Sequence, residues 1–283
     1  MPTNQQRREA AKRKLERQLV RRQEQARRRR IIGMGVAAGV VVIVAGAIVL
    51  FVTTKKDDGS TEAAPSTSPS ATPVNIPTQR VALPKRSTPL PNPTTCDYPA
   101  SQGQPAAKPV KAPPTTNISS TGTVNVTFRS TAGDIGLTLD RALAPCTVNS
   151  FVSLIQQGYY TDTSCHRLGT QGLQMLQCGD PSGTGSGGPG YTFKDETFPE
   201  LTYGRGILAM ANGGADTNGS QFFMVYGDAQ LPPDYTVFGS ISDAGLQVLD
   251  KIARAGDDGS YDPSPGGGKP NMEVKFTAVT VDN

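Results

Sequence analysis

The chain of 283 residues contains one histidine, His166, and four cysteines, which are the first residues to consider for chemistry. Nucleophilic catalysis needs a base beside the nucleophile and a third group that orients the base. His166 has no serine-centred turn and no evident orienting partner. A zinc site needs closely spaced Cys or His ligands, and the sequence has no CxxC spacing. These residues therefore predict no covalent catalysis, no metal site and no cofactor.

A glycine pattern offers a second kind of chemistry. Gly183, Gly185 and Gly188 match GxGxxG, which cradles a dinucleotide pyrophosphate when it leads from a strand into a helix. Here Pro189 and Gly190 follow, and neither a helical pattern nor a βαβ unit surrounds the motif. We interpret it as a flexible loop.

The elements that must position any site are mainly strands, and they occupy residues 121–283. Alternating apolar residues predict half-buried strands, whereas apolar residues three or four apart predict helices. Strands are predicted around 124–128, 135–139, 165–168, 175–178, 207–211, 222–226, 236–241 and 272–281, and helices at 145–157 and around 246–252. The fold class is therefore mainly β: a closed eight-stranded antiparallel barrel capped by two helices.

Strand alternation also sorts side chains onto two faces, because residues two apart point the same way. One face carries Arg167, Met175, Gln177, Gln221 and Phe223. The other face points into the core and carries His166, Leu176 and Phe222. We expect His166 to be a buried structural residue and the first face to form a groove on the outside of the barrel.

Five sequence runs are recognisable when they are taken together. They are CHRL at 165–168, LQCGD at 176–180, GILAMAN at 206–212, TNGSQFF at 217–223 and VFG at 237–239. In this order they resemble the cyclophilin family over residues 121–283. The resemblance implies a cyclophilin-like fold and a peptidyl-prolyl cis-trans isomerase, which rotates the bond before proline and needs no cofactor.

The resemblance also implies roles for individual residues. Arg167 matches the catalytic arginine, a fixed donor that can stabilise the twisted amide of the transition state. The substrate-binding residues implied in the same way are Met175, Phe223 and Leu231 for the proline pocket, Gln177 and Gln221 as holders of Arg167 or substrate, Ala211 and Asn212 for backbone contacts, and Tyr235, which stands where some members have histidine.

Two departures from the family concern ligand binding. A short insertion lies between Arg167 and Gln177, and Gln174 stands where an aromatic residue usually floors the pocket, so a weaker or reshaped pocket is expected. The chain has no tryptophan, and Gln230 stands where many members carry one that is important for cyclosporin. We therefore predict weak cyclosporin binding.

The N-terminal part of the chain has the pattern of a membrane anchor. Residues 1–30 carry twelve Lys and Arg against three Glu, and residues 31–53 carry no charged side chain. An apolar run of this length spans a bilayer, and the positive-inside rule places the basic tail in the cytoplasm. The pattern predicts a single-pass cell-membrane protein whose remainder is extracytoplasmic. The basic tail contains no aromatic residue that could stack on nucleic-acid bases. We therefore interpret the tail as a topogenic signal and expect no nucleic-acid partner.

Residues 54–120 are rich in Pro, Thr, Ser and Ala, which predicts a disordered linker. All four cysteines, Cys96, Cys146, Cys165 and Cys178, follow the apolar run and would lie where disulfides persist. Four cysteines allow three pairings, of which Cys165 with Cys178 would join neighbouring strands. The pairing stays open, and a buried free thiol is the alternative for Cys146 or Cys178.

The function predicted from these observations is isomerisation of X-Pro bonds in exported or surface polypeptides, which assists their folding. An alternative is a chaperone or scaffold that holds proline-containing segments with little turnover. A third is a tether in which the spacer matters more than the barrel.

Overall fold

The computed structural model describes residues 74–282. Within this range the chain forms eight strands and two helices: β1 Thr123–Ser130, β2 Gly133–Asp140, α1 Pro145–Gln156, β3 Arg167–Gly169, β4 Leu173–Cys178, β5 Ile207–Met210, β6 Phe222–Ala229, β7 Val237–Ile241, α2 Asp243–Ala255 and β8 Phe276–Val281. These elements match the predicted strands and helices. The basic tail, the apolar run at 31–53 and the start of the predicted linker lie outside the described residues.

All eight strands belong to one antiparallel sheet in the order β3-β4-β6-β5-β7-β2-β1-β8. The edges β3 and β8 share no ladder, but a bridge joins Ser164, just before β3, to Lys275, just before β8. The Phe276 N–H also donates to the Thr163 carbonyl at 2.8 Å. The predicted closed barrel is thus confirmed in part: the sheet curls on itself, and short irregular segments, rather than a continuous ladder, join its two edges.

The core lies inside the curled sheet and is built from aromatic rings. Phe128 of β1 contacts Phe276 of β8, with 4.7 Å between the ring centroids. Phe151 of α1 contacts Phe222 of β6 at 5.1 Å and Phe238 of β7 at 5.0 Å. Edge-on and tilted pairs at such distances add to the stabilisation that burial of each ring provides. The helix therefore closes one side of the core through the ring that its apolar spacing points inward.

Helix α1 begins at Pro145, whose missing N–H costs nothing in the first turn. The N-cap residue, Ala144, has no side chain that could accept a hydrogen bond from the first turn. Instead the Glu196 carboxylate accepts hydrogen bonds from the Cys146 N–H at 3.0 Å, the Thr147 N–H at 2.8 Å and the Thr147 hydroxyl at 2.7 Å. A carboxylate at this end also suits the helix dipole. The loop that carries Glu196 is thereby fixed against α1.

Residues 74–120, which we name the strap, are not the disordered linker that their composition predicts. Cys96, Tyr98 and Ile118 of the strap are buried in the core. Lys108 donates through Nζ to the carbonyls of Gly158 at 2.6 Å and of Thr161 at 3.0 Å, beyond the end of α1. The prediction failed here because a few well-placed residues hold the strap, and composition does not register such contacts.

Two disulfides account for the four cysteines. Cys96 of the strap is bonded to Cys146 at the start of α1, and Cys165 is bonded to Cys178 of β4. The second pair is the one that joins neighbouring strands, and it lies beside Arg167 in sequence. Cys146 and Cys178 are therefore not free thiols.

Candidate active site

The central row of the site crosses four strands. Arg167 of β3 lies opposite Gln177 of β4, Gln177 lies opposite Phe223 of β6, and Phe223 lies opposite Ala209 of β5. This register places Arg167, Gln177 and Phe223 on one face, as the alternation predicts. The opposite face is core: Leu176 is fully buried and His166 is 6% exposed. The predicted sorting of the two faces is confirmed.

Arg167 is held by the loop that follows α2. Its Nε donates to the Gly266 carbonyl at 2.9 Å, its Nη2 to the Pro265 carbonyl at 2.7 Å and its Nη1 to Gln177 Oε1 at 3.3 Å. Burial lowers the pKa of the Arg167 guanidinium, while the nearby Tyr235 and Tyr261 act to raise it. A guanidinium has five N–H donors and stays charged in proteins, so two donors remain for a ligand. The result is a fixed cationic donor at the surface of the sheet.

An amide relay connects Arg167 to the glycine-rich loop. Gln177 Nε2 donates to Gln221 Oε1 at 3.0 Å, and Gln221 Nε2 donates to the carbonyls of Gly185 at 2.9 Å and Gly187 at 3.0 Å. Each amide therefore has a defined orientation. Gln177 holds Arg167, as expected, and Gln221 holds Gln177 rather than the arginine directly.

The glycine-rich loop wraps an internal carboxylate, not a phosphate. Asp180 is fully buried. It accepts hydrogen bonds from the N–H groups of Ser182 at 2.7 Å, Gly185 at 2.8 Å and Gly187 at 3.0 Å. Burial acts to raise the pKa of Asp180, but these hydrogen bonds and that of the Ser182 hydroxyl outweigh it and hold the pKa below its usual value. The loop is thus a rigid wall organised by Asp180, which corrects its interpretation as a flexible segment.

Apolar side chains lie beside this polar row. Met175 and Phe223 are only 1% and 5% exposed, and Leu231 packs against the core from a half-buried position. The Tyr235 ring stands edge-on to Phe223, with 5.7 Å between the centroids. The three residues predicted for the proline pocket therefore lie on this side of the row, and the Tyr235 ring packs edge-on against one of them, Phe223.

Ala211 and Asn212 follow β5 and line a cavity of about 470 Å³ together with Gln177 and Gln221. The Ala211 N–H donates to the Gln221 carbonyl at 3.0 Å. Asn212 Nδ2 donates to the Asp234 carbonyl at 3.0 Å. The Ala211 N–H is therefore engaged within the protein, so a backbone contact with a ligand at this position falls to its carbonyl.

Gln174 lies in a β-bulge between Leu173 and Met175. Its Nε2 donates to the Asn75 carbonyl at 2.8 Å and its Oε1 accepts from the Asp228 N–H at 2.8 Å. Both ends of the buried amide are thus bonded to backbone. Gln174 therefore fastens the strap to β4 and β6.

Sequence reasoning missed three parts of this site: the Asp180 carboxylate inside the loop, the Pro265 and Gly266 carbonyls that hold Arg167, and the strap residues around Ser101 and Gln104 that line the cavity. Asp180 stood within a recognised run and was followed by a dense group of glycines, which is a usable signal. The carbonyls and the strap carry none, because backbone groups and irregular segments leave no pattern in the sequence.

His166 provides a testable pH dependence. Neither ring nitrogen has a hydrogen-bond partner, and burial lowers the pKa of His166 from its usual 6.5, with Asp180 acting to raise it and Arg167 to lower it. Because the folded pKa lies below the unfolded one, the unfolded state binds more protons as the pH falls. We expect the free energy of unfolding to be maintained above pH 6.5 and to decrease as the pH falls from 6.5 through the lower folded pKa.

Urea unfolding at a series of pH values would measure this decrease. The His166→Phe variant keeps an aromatic ring but cannot be protonated, so its decrease over the same interval should be smaller. An identical pH profile for the two proteins would contradict the assignment.

The family model of the cyclophilin type peptidyl-prolyl cis-trans isomerase/CLD matches residues 123–281. Proteins named probable peptidyl-prolyl cis-trans isomerase B from Mycobacterium tuberculosis and Mycobacterium leprae are 50% and 48% identical over 201 residues. The aligned region covers 66% of this chain and 64% and 66% of those relatives. A cyclophilin type isomerase structure from Cryptosporidium parvum has a TM-score of 0.50 at 33% identity, with 57% of this chain and 99% of that chain covered.

Proposed function

Because this chain belongs to the family of cyclophilin type peptidyl-prolyl cis-trans isomerases, we propose that it catalyses rotation about X-Pro bonds and that Arg167 is its catalytic residue. The observation that carries the proposal is the row in which Arg167, Gln177 and Phe223 lie side by side across three strands. The row places a fixed cationic donor and an apolar ring on the same face of the sheet, two strands apart, and these are the two features that a prolyl peptide needs.

The chemistry follows from the amide itself. The barrier of about 18–20 kcal/mol arises because rotation breaks amide resonance. In the twisted state electron density returns to the proline nitrogen, so a donor aimed there stabilises the transition state more than either planar state. Arg167 has two N–H donors left after its bonds to Pro265, Gly266 and Gln177. No bond to the protein is formed or broken, and no cofactor takes part.

The test is the exchange rate of an Ala-Pro peptide with the full chain, measured by magnetisation transfer. Uncatalysed exchange takes tens to hundreds of seconds. A catalyst at micromolar concentration should bring it well below one second, and the cis fraction should stay the same. Exchange at the uncatalysed rate, with a protein that is folded by circular dichroism, would refute the proposal.

A second candidate is a binding module with little turnover. It is favoured by the burial of Met175 and Phe223 and by the Tyr235 ring that covers Phe223, since a slowly opening pocket would hold ligands and exchange them slowly. Peptide binding without accelerated exchange would support this function over the enzyme.

Cyclosporin binding gives a further prediction. Gln230 is exposed and the chain contains no tryptophan. Replacing Gln230 with tryptophan should tighten cyclosporin binding by about tenfold, because a tryptophan at an interface supplies a large rigid contact area. Isothermal titration of the wild-type chain and the variant measures the effect. Equal affinities would show that the missing tryptophan does not limit binding.

We also place the folded part outside the cytoplasm, anchored by residues 31–53, with exported or surface polypeptides as substrates. Support comes from the uncharged run after a basic tail and from the two disulfides, which persist in oxidising compartments. Among the described residues, neither helix has the length and apolar character that a membrane crossing requires. Protease added to intact cells with a permeabilised outer barrier should digest the folded part, and full protection would refute this topology.

A further inference from the structure

The cavity beside the amide relay has a wall that the family segment does not supply. The family match begins at residue 123. Ser101, Gln104 and Pro105 of the strap nevertheless line the cavity of about 470 Å³ together with Gln177, Gln221 and Asn212. The strap therefore contributes side chains to the same cavity as Gln177, which accepts a hydrogen bond from Arg167.

Backbone hydrogen bonds hold this part of the strap against residues 188–191. Ala100 and Tyr191 form a bridge, the Ser101 N–H donates to the Gly190 carbonyl at 2.9 Å, and the Ala107 N–H donates to the Gly188 carbonyl at 2.9 Å. Gly190 has a φ of +82°, and a Cβ there would lie 2.9 Å from the Ala106 nitrogen. A side chain at 190 would thus push the strap away, so the glycine permits the close approach. This strip of backbone pairing holds the Gln104 region at a fixed position.

Both ends of this strip are also anchored. The Cys96–Cys146 disulfide fixes the chain before it, and Lys108 fixes the chain after it through the carbonyls of Gly158 and Thr161. The segment from 99 to 107 is therefore a permanent part of the groove, not a tail lying across it.

The chemistry of the cavity defines what it takes. No lining side chain is charged; the lining consists of hydroxyl and amide side chains, glycines, prolines, Ala211 and Tyr191. Gln104 is exposed, so its amide is available to a ligand. Such a lining favours a neutral side chain with hydrogen-bonding groups over a charged one, which would lose hydration without gaining a partner.

The distance to the proline site fixes which substrate residue reaches the cavity. Gln221 precedes Phe223 by two residues on the same face, a separation of about 7 Å along the strand. An extended substrate advances by about the same amount over two residues. The cavity therefore receives the side chain two positions from the proline.

We propose that Gln104 and Ser101 are specificity-determining residues, which select substrates that carry a neutral polar side chain, such as glutamine or serine, two positions from the proline. The proposal rests on the isomerase function proposed above. It assigns a substrate preference to a segment that lies outside the matched family domain.

The experiment uses the full chain and two peptide series around Ala-Pro. One series varies the residue two positions before the proline and the other the residue two positions after it, each with Ala, Ser, Gln, Lys or Glu. Wild type should prefer Gln over Ala in one series by roughly three- to tenfold in kcat/KM, the range of one neutral hydrogen bond. The Gln104→Ala variant should bring this ratio close to one, and Ser101→Ala should reduce the preference for Ser.

Gln102→Ala is the matched control, since Gln102 is exposed on the same strap and does not line the cavity. It should keep both the rate and the ratio of the wild type. Gln104→Glu adds a gain-of-function arm, in which the Lys peptide should improve relative to the Glu peptide by about threefold.

The outcomes separate the two proposals. An unchanged Gln-to-Ala ratio in Gln104→Ala, or an equal loss in Gln102→Ala, overturns the specificity assignment. No acceleration of any peptide by wild type overturns the proposed function instead. In that case the same Gln-to-Ala ratio is measured in Kd by fluorescence anisotropy of labelled peptides, so that the role of Gln104 is still decided.

Discussion

Arg167→Ala is expected to lower kcat/KM for an Ala-Pro peptide by about 10²- to 10³-fold, the usual cost of removing a fixed donor to a developing charge. The variant loses the cationic donor held by Pro265, Gly266 and Gln177. Magnetisation-transfer exchange or a protease-coupled assay measures the rate. Because Arg167 lies half-exposed on the groove face, the fold should survive the change, and the circular dichroism spectrum should match that of the wild type.

Two further variants make this expectation specific. Arg167→Lys keeps the positive charge, but an ammonium cannot reproduce the planar fork that reaches two loop carbonyls and Gln177, so it should recover little activity. Arg129→Ala removes an exposed arginine from β1, away from the site, and should keep the wild-type rate. Activity within about threefold of wild type in Arg167→Ala would contradict a catalytic role for this residue.

The strands of the site could be predicted because they alternate. Leu176 and Phe222 are fully buried, while Gln177 and Phe223 lie opposite each other on the groove face. Burial of one face imposes a period of two on the sequence, and the register then brings together residues that are far apart in the chain. The same alternation placed His166 in the interior without any information about its contacts.

The strap could not be predicted, because its composition is that of a disordered segment. Its stability comes from scattered contacts, which include one disulfide, buried residues such as Tyr98 and Ile118, backbone pairing with Gly188 and Gly190, and charged groups bonded to backbone carbonyls. Arg86, for example, donates to the carbonyls of Leu143 and Glu196 at 2.8 and 2.6 Å. An average over many Pro, Ser and Thr residues hides such contacts, since each depends on a partner in another part of the chain.

The glycine-rich loop shows a related limit. The pattern was interpreted as a flexible loop, whereas backbone N–H groups of this loop converge on an anion, the Asp180 carboxylate of the same chain. A nest of N–H groups binds whichever anion the fold supplies. The spacing of the glycines did not reveal that a buried carboxylate would organise this loop.

The Cys96–Cys146 disulfide carries the second large expected effect. It closes a loop with a sequence separation of 50 residues. In the chain-entropy treatment, a cross-link of that length stabilises the folded state by about 4 kcal/mol. The double variant Cys96→Ser with Cys146→Ser should therefore lose about 4 kcal/mol of unfolding free energy, as measured by urea unfolding under non-reducing conditions.

The Cys165–Cys178 bridge provides the comparison, because its separation is only 13 residues and the same treatment gives about 3 kcal/mol. The two losses should differ in kind as well as in size. Loss of the first bridge releases one anchor of the segment that contains Gln104, so the peptide preference should weaken and protease should cut between residues 99 and 107 before the barrel unfolds. Loss of the second should leave the strap resistant to protease, because Cys165 and Cys178 both lie outside residues 74–120.

One result would contradict this role of the first disulfide. A Cys96/Cys146 variant whose unfolding free energy stays within about 1 kcal/mol of wild type, and whose strap still resists protease, would show that Lys108 and the backbone pairing at Gly188 and Gly190 hold the strap without the disulfide.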